Sequence, residues 1–456
     1  MSIATASASI DVLDPATGDV VGAIPAGDEA AVDAAVRAAR SVQAGWARVA
    51  PGERGARLKE AARRLRDRVD ELAELQAAEN GRPLDESRAG VEAGVGAIEQ
   101  YADLGPLHRG SALQGNWDAT DLMVHEPRGV VALLVPWNDP IAIACGQLAA
   151  ALATGNAVVL KPSEKTPLST ARLVEVLNLG DVLQLVLGDA RAGRPLAAHP
   201  GVDLVVHTGS VATGRELAEV CARDLRKALL ELGGKDPLVV DAGVDPVWAA
   251  EQAAAGAFAN AGQLCTSVER IYVHEALAVP FLDALVERAR ATRIGPLIDE
   301  AQREIVHRHV TEAVAAGATV RCGGEPADGP GFFYPPTVLE GVDDAMDVMT
   351  EETFGPVAAV RVVASFDDAL RAADGTAYGL QATVLTADQA HAQRAWRELR
   401  AGTVKVNAVW GGAPGGAAQP RGQSGTGFGY GPELLDELTT TKVVHVEPAP
   451  RAGERP

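Results

Sequence analysis

A thiol, a carboxylate and an uncharged amide stand out in this sequence as a nucleophile, a base and an oxyanion donor. Cys265 follows Gly262-Gln263-Leu264 and precedes Thr266-Ser267, just after a helical run from Trp248 to Ala261. A thiol at such a junction can be flanked by backbone N–H groups, which favour the thiolate and later an oxyanion. Glu231 ends an apolar run and is followed by Leu232-Gly233-Gly234-Lys235, so a carboxylate is delivered where glycines let the chain turn sharply. Burial there would raise its pKa towards the range of a general base. Asn138, in Val135-Pro136-Trp137-Asn138, ends another strand in a turn and offers an amide donor without a charge. Each residue alone also has a plainer reading: a packing cysteine, a solvated acid or a turn asparagine.

A second group of residues suits a dinucleotide. Lys161-Pro162-Ser163-Glu164 closes a strand at the edge where parallel sheets bind ligands, and Lys161 with Glu164 could hold the two ribose hydroxyls. Gly209-Ser210, with Gly214 beyond, opens a helix after the strand Leu204–His207, which suits a phosphate or simply a small-residue helix start. No G-x-G-x-x-G follows a strand, and the glycines of Gly425-Thr426-Gly427-Phe428-Gly429 read as a decoy in a loop. The nine histidines are scattered, and His307 and His309 point to different faces of one helix, so no metal site is expected.

The elements that must position these groups follow from periodicity. A strand pair around Asp14–Gly18 precedes a helix over Ala31–Val42, a helical pattern runs from Pro51 to Asn80, and another helix reaches Tyr101. His108 to Val124 reads as a hairpin arm whose partner is the apolar strand Lys442–Val446. Strands then alternate with helices: Val130–Val135, Ala157–Leu160, Val182–Val186 and Leu204–His207, a helix over Ala212–Asp224, and a strand ending at Leu230. After Cys265 come Arg270–Val273, helices around Val279–Arg290 and Glu300–Ala315, then Val357–Val363, Ala382–Leu385 and Gly402–Asn407. This alternation predicts parallel α/β sheets. Gly411 to Gly431 reads as a long loop, and the tail beyond Glu447 as frayed.

The whole chain sets outer bounds. At 456 residues, two domains sharing a cleft are expected. A net charge of −20 with no basic run argues against nucleic acid. Cys145, Cys221, Cys265 and Cys322 lie far apart, which suits neither a disulfide framework nor a zinc ribbon and fits a reducing cytoplasm. Met1 to Ile10 has no basic or apolar signal region, so the mature chain is expected to begin near Met1. Ile141 to Leu160 carries no charge over a membrane-spanning length, but Gly155-Asn156 breaks it into a buried helix, a turn and a strand. No membrane span is expected.

Taken in order, Pro136-Trp137-Asn138, Lys161-Pro162-Ser163-Glu164, Thr208-Gly209-Ser210, Glu231-Leu232-Gly233-Gly234-Lys235, Gly262-Gln263-Leu264-Cys265 and Glu351-Glu352-Thr353-Phe354-Gly355-Pro356 resemble the aldehyde dehydrogenase superfamily, from about Val12 to Val446. The resemblance implies an α/β fold: a Rossmann-like NAD domain over residues 1–107 and 128–233, an α/β catalytic domain over 234–430, and a small β arm over 108–127 and 431–450 that bridges subunits. The tail 451–456 stands apart. A homodimer or homotetramer acting on a small aldehyde is implied, with no nucleic-acid or membrane partner.

By the same resemblance, Cys265 attacks the aldehyde, Asn138 and the Cys265 N–H hold the oxyanion, and Glu231 activates the water that hydrolyses the thioester. Relatives that pass the acyl group to coenzyme A generally lack this glutamate. An acylating enzyme is therefore the alternative, and a non-catalytic scaffold a more distant one. Glu352 is implied at the nicotinamide ribose with Phe354 beside the ring, Trp137, Gly209, Ser210 and Leu232 as further cofactor contacts, and Lys161 and Glu164 at the adenosine ribose. A carboxylate at Glu164 would repel a 2′-phosphate, which favours NAD and leaves NADP as the alternative.

The chain departs from the family's pattern at His207, where phenylalanine is usual, in a shortened segment from Arg293 to Asp299, and in Pro420–Gly425, which lacks the usual Gly-Gly-x-Lys. The implied aldehyde channel carries Asp139, Ile143, Gly146, Trp410 and Arg421. Asp139 would favour a cationic aminoaldehyde and Arg421 a carboxylated one, unless the two pair with each other.

Overall fold

The computed structural model describes residues 9–412, 415–449 and 452–453, so the readings of the first residues and of the tail 451–456 fall largely outside it. Two parallel sheets dominate. The first orders its strands Gly425–Thr426, Lys227–Glu231, Leu204–Thr208, Val130–Val135, Ala157–Pro162 and Leu183–Leu185, all parallel except the first. The run VVALLV is buried at all six positions because helices cover both faces, as a central parallel strand requires. Since Val130–Val135 pairs with both Ala157–Pro162 and Leu204–Thr208, strand order reverses at this point, where such sheets bind ligands beyond their carboxyl ends.

The second sheet runs Thr319–Cys322, Thr337–Glu340, Val357–Val363, Val268–His274, Asp236–Val240, Gln381–Leu385 and Thr403–Val406, with only its first strand antiparallel. A three-stranded ribbon pairs Thr439–Val446 with Thr120–Pro127 and then Ser111–Leu113, the association expected of the arm and the C-terminal strand. Ser9–Leu13 and Val20–Pro25 form the anticipated strand pair. Among the described residues no helix is long and apolar enough to cross a membrane, and Ile141–Leu160 divides into the helix Pro140–Ala153, a turn and the strand Ala157–Pro162.

Several elements differ from the sequence expectation for physical reasons. The helical pattern from Pro51 to Asn80 is two helices, Pro51–Arg66 and Val69–Asn80, because the chain turns at Asp67-Arg68 to keep Leu65, Val69 and Leu72 in one core. The helix before Cys265 stops at Phe258, since Asn260 and Ala261 adopt φ of 48° and 54°. The strand expected at Val182–Val186 starts one residue later, after a 3-10 turn over Gly180–Val182. Asp236–Val240, Thr319–Cys322 and Thr337–Glu340 are strands that the pattern did not single out.

One buried side chain joins the first sheet to the C-terminal segment. Asn156 is fully buried; its Oδ1 accepts from Gly129 N at 2.8 Å, and its Nδ2 donates to Thr154 Oγ1 at 2.9 Å and Leu438 O at 3.0 Å. Replacing Asn156 with Ala strands the Gly129 N–H and leaves Leu438 O with only the longer bond from Arg128 N at 3.4 Å. We expect a loss of about 2–4 kcal/mol, read as a lower denaturant midpoint, while an unchanged midpoint would show that water replaces the amide.

Candidate active site

The segment Leu232-Gly233-Gly234-Lys235 is the seam of the molecule: Glu231 is the last residue of one sheet and Asp236 the first of a strand in the other. Four residues cross between the sheets, and the glycines make the passage possible. A Cβ on Gly233 would lie 2.1 Å from Glu352 Oε2, and one on Gly234 would lie 2.6 Å from the Cys265 carbonyl oxygen. Gly234 N also donates to Glu352 Oε1 at 3.1 Å. Glu231, Cys265 and Glu352, distant in sequence, are thereby gathered around one short crossing.

Cys265 is presented by a strained loop. Asn260, Ala261 and Gly262 all have positive φ, and a Cβ on Gly262 would collide with Gly355 O at 2.1 Å. Non-glycine residues in this region cost on the order of 1 kcal/mol each and persist only where surrounding contacts impose them. Here Asn260 Nδ2 donates to the carbonyls of Asn138 and Gln263, while Gln263 Oε1 accepts from Ile298 N at 2.9 Å. Asn138 is buried and spends one amide hydrogen on Gln263 O at 2.9 Å, two residues before the thiol, leaving the second for another acceptor.

The electrostatics are those of crowded acids. Burial pushes the Cys265 thiol up to about 12, reinforced by the carboxyls of Asp236, Glu231 and Glu352. Burial also raises Glu231 to about 8, opposed by the nearby Gly429 backbone. Glu352 reaches about 8 through burial and the neighbouring Glu269 carboxylate, opposed by Gly234 N–H and Lys235. Glu231 Oε1 is buried without a hydrogen-bond partner. On the same face, Thr208 is its partner in the ladder and accepts from Gln147 Nε2 at 2.8 Å. A carboxyl group held this way exchanges a proton near neutral pH.

The glycine run set aside above as a decoy holds this carboxyl group. Gly425 pairs with Glu231 as a short antiparallel strand, Leu232 N donates to Ser424 O, and a Cβ on Gly429 would lie 2.3 Å from Glu231 Oε1. Sequence reasoning also passed over Glu269. Its carboxylate accepts from Thr353 N at 2.8 Å, Phe354 N at 2.9 Å and Lys235 Nζ, which itself reaches Thr353 Oγ1 at 3.1 Å. The available signal was a charge inside the apolar strand Val268–His274.

The proposed cofactor residues line the carboxyl edge of the first sheet. Lys161 is buried with Nζ on Pro162 O at 2.8 Å, Ser210 caps the helix Val211–Arg223, and Glu164 is half-buried. Gly209 lies over His207, whose buried ring nitrogens find no partner; burial lowers its pKa to about 4 and keeps it neutral. Leu232 packs on Gly214. Trp137 meets Phe354 edge-on at 5.4 Å, joining residues from the two sheets. An amine and a helix N-terminus as donors, with two carboxyls as acceptors, fit a dinucleotide with phosphates and ribose hydroxyls.

A cleft of about 860 Å³ beside the thiol is lined by Leu264 and Thr266 and, of the proposed channel residues, by Asp139 and Trp410; Ile143, Gly146 and Arg421 do not line it. Asp139 Oδ2 pairs with Arg82 Nη1 at 3.0 Å, and Arg421 is exposed elsewhere. We expect Lys235→Met to destabilise the fold by about 3–5 kcal/mol in denaturant unfolding, because it leaves the buried Glu269 charge uncompensated. A loss below 1 kcal/mol would mean that Glu269 is held by its N–H donors alone.

Residues 3–444 match the model of the aldehyde dehydrogenase family. A solved lactaldehyde dehydrogenase is 32% identical with a TM-score of 0.95, covering 97% of this chain and 96% of that one. An NAD-dependent aldehyde dehydrogenase from Sinorhizobium meliloti is 34% identical with a TM-score of 0.94, covering 97% and 93%. Betaine aldehyde dehydrogenase from Staphylococcus aureus, solved with NAD+, is 30% identical with a TM-score of 0.94, covering 98% and 93%. The match along nearly the whole length, with the thiol, carboxyls and amide gathered at one seam, makes the chain a member of the aldehyde dehydrogenase family.

Proposed function

We propose that this NAD-dependent aldehyde-oxidising enzyme works through Cys265 as nucleophile, Glu231 as base and Asn138 as oxyanion donor, releasing a carboxylic acid. The observation that carries the reading is the single buried crossing that gathers Glu231, Cys265 and Glu352. With its thiol pushed up to about 12, Cys265 rests protonated, and its proton passes to solvent water as sulfur bonds the aldehyde carbon. Asn138 Nδ2 and the Cys265 N–H then stabilise the oxyanion. NAD, when bound, supplies the hydride acceptor and a positively charged ring that offsets the acidic surroundings. Glu231 next takes a proton from the water that attacks the thioester and returns it to the departing Cys265 sulfur, which leaves as the free thiol while the acid is released.

Glu352 and Phe354 are assigned to the nicotinamide end, and Trp137, Lys161, Glu164, Gly209, Ser210 and Leu232 to the rest of the dinucleotide. The same reading gives residues 1–107 with 128–233 to the cofactor, 234–430 to chemistry, and the ribbon segments 108–127 and 431–450 to subunit bridging in a homodimer or homotetramer. Exposed Leu113, Val443 and Val446 on the ribbon support the last assignment. Four free cysteines support a reducing, cytoplasmic setting.

Glu231 as base favours hydrolysis over transfer to coenzyme A. Because the Glu231 pKa is raised to about 8, its carboxylate form grows with pH, so the hydrolysis rate should rise through pH 8 and then level. Glu231→Gln should lose that rise and about 10²- to 10⁴-fold in kcat, while rapid mixing still shows a burst of NADH from the first half-reaction. Cys265→Ala should show neither burst nor turnover. A burst-free Glu231→Gln with an unchanged pH profile would move the base elsewhere.

Asp139 is already paired with Arg82 and Arg421 does not line the cleft, so neither provides a free charge for the aldehyde. Arg421→Ala should leave unchanged the kcat/KM ranking of a panel that includes lactaldehyde, betaine aldehyde, neutral aldehydes and carboxylated aldehydes. Selective loss of the carboxylated members would restore Arg421 as their anchor.

A further inference from the structure

We propose that His108, His125 and Asp436 form a binding site for a zinc ion that fastens the root of the three-stranded ribbon to the body of the protein. The three residues come from separate parts of the chain. His108 follows the 3-10 turn Gly105–Leu107, His125 lies in the strand Thr120–Pro127, and Asp436 is in the short helix Leu434–Glu437. One ligand atom from each residue lies within 4.8 Å of the other two. His108 Nε2 bonds Asp436 Oδ1 at 2.7 Å, and the two imidazoles stack with centroids 4.2 Å apart and planes 28° apart.

This donor set matches zinc chemistry. Two imidazole nitrogens and a carboxylate oxygen are standard ligands at about 2.0–2.2 Å, which in a tetrahedron places the ligand atoms roughly 3.3 Å from each other. The three ligand atoms already lie within 4.8 Å of one another, and the ion would draw them to that spacing. The fourth position stays open to water. His108 is largely shielded while Asp436 is 63% exposed, so an ion can enter from the aspartate side and meet the histidines behind it.

The His108–Asp436 hydrogen bond is replaced: the ring hydrogen of His108 moves to the nitrogen that does not bind, and zinc takes the freed nitrogen, so no net proton need leave the site. The ion would cross-link the end of the helix Leu84–Leu104 and the nearby ribbon strand to the segment before Thr439, which lies more than three hundred residues further along the chain. Zinc binding should therefore raise the unfolding temperature.

The test is calorimetric titration of Zn²⁺ into the full-length, metal-free Cys265→Ala protein, in which the competing thiol is removed. One equivalent per chain, with Kd of about 1 μM or tighter, is expected. Asp436→Asn, at an exposed position that leaves folding intact, and His125→Ala should each weaken binding at least about tenfold and abolish the zinc-dependent rise in melting temperature. The proposal is overturned if Asp436→Asn binds zinc with the parent's stoichiometry and affinity, or if the parent shows no saturable binding up to about 100 μM.

Discussion

Lys235 and Glu269 face each other with almost no water around them, and the remainder of the site is arranged on that pair. Lys235 ends the crossing between the sheets, and Glu269 stands at the start of the strand that follows the Cys265 loop. The same carboxylate holds Thr353 and Phe354 by their N–H groups, so one ion pair joins the segments that bear Glu231, Cys265 and Glu352. Dehydrating two charges is costly, and such pairs contribute more to positioning than to net stability. Its field extends further: burial first, and then Lys235, lower the pKa of His309 to about 4, leaving a neutral ring bonded to Thr353 Oγ1 at 3.1 Å.

Around this cation the acids keep their protons. Glu231 and Glu352 are raised to about 8, Asp236 is raised well above its ordinary value, and each of these shifts is caused first by burial. A site built this way carries little negative charge at neutral pH, although three acidic side chains surround the thiol. Buried Arg270, bonded to Lys235 O at 2.8 Å and Ala373 O at 2.8 Å, fixes the crossing from behind. Geometry is held by the Lys235–Glu269 pair and by charge-assisted hydrogen bonds from Arg270 and to Glu269, which leaves the Glu231 carboxyl group free to exchange a proton.

Backbone shape does as much as side-chain chemistry. Gly233, Gly234, Gly262 and Gly429 each approach a carboxyl or carbonyl oxygen too closely for any Cβ. The run around Gly429 shows how local pattern reading loses this information. Its spacing matches no phosphate loop, but the run closes over Glu231 from the opposite end of the chain. The cleft shows the same effect, since Asp139 is answered by Arg82 rather than by Arg421.

The amino-acid sequence by itself determined the classes of element and offered the candidate reacting groups. Uninterrupted apolar runs specify buried parallel strands, and a thiol, a carboxyl group and an amide at strand and helix ends mark the groups proposed to react once the order of motifs is added, because these signals reside within a few neighbouring residues. Tertiary structure alone decided what those residues meet. Asp236–Val240 follows two glycines and is too short to be distinguished from a turn, the helical run to Asn80 breaks only because Leu65 and Leu72 share a core, and Glu269 gains its role from Lys235 and a loop more than eighty residues away. His108, His125 and Asp436 likewise share no spacing that a motif could capture. Periodicity records which face of an element is apolar, whereas convergence of distant polar groups depends on where the strands cross, and no single segment encodes that.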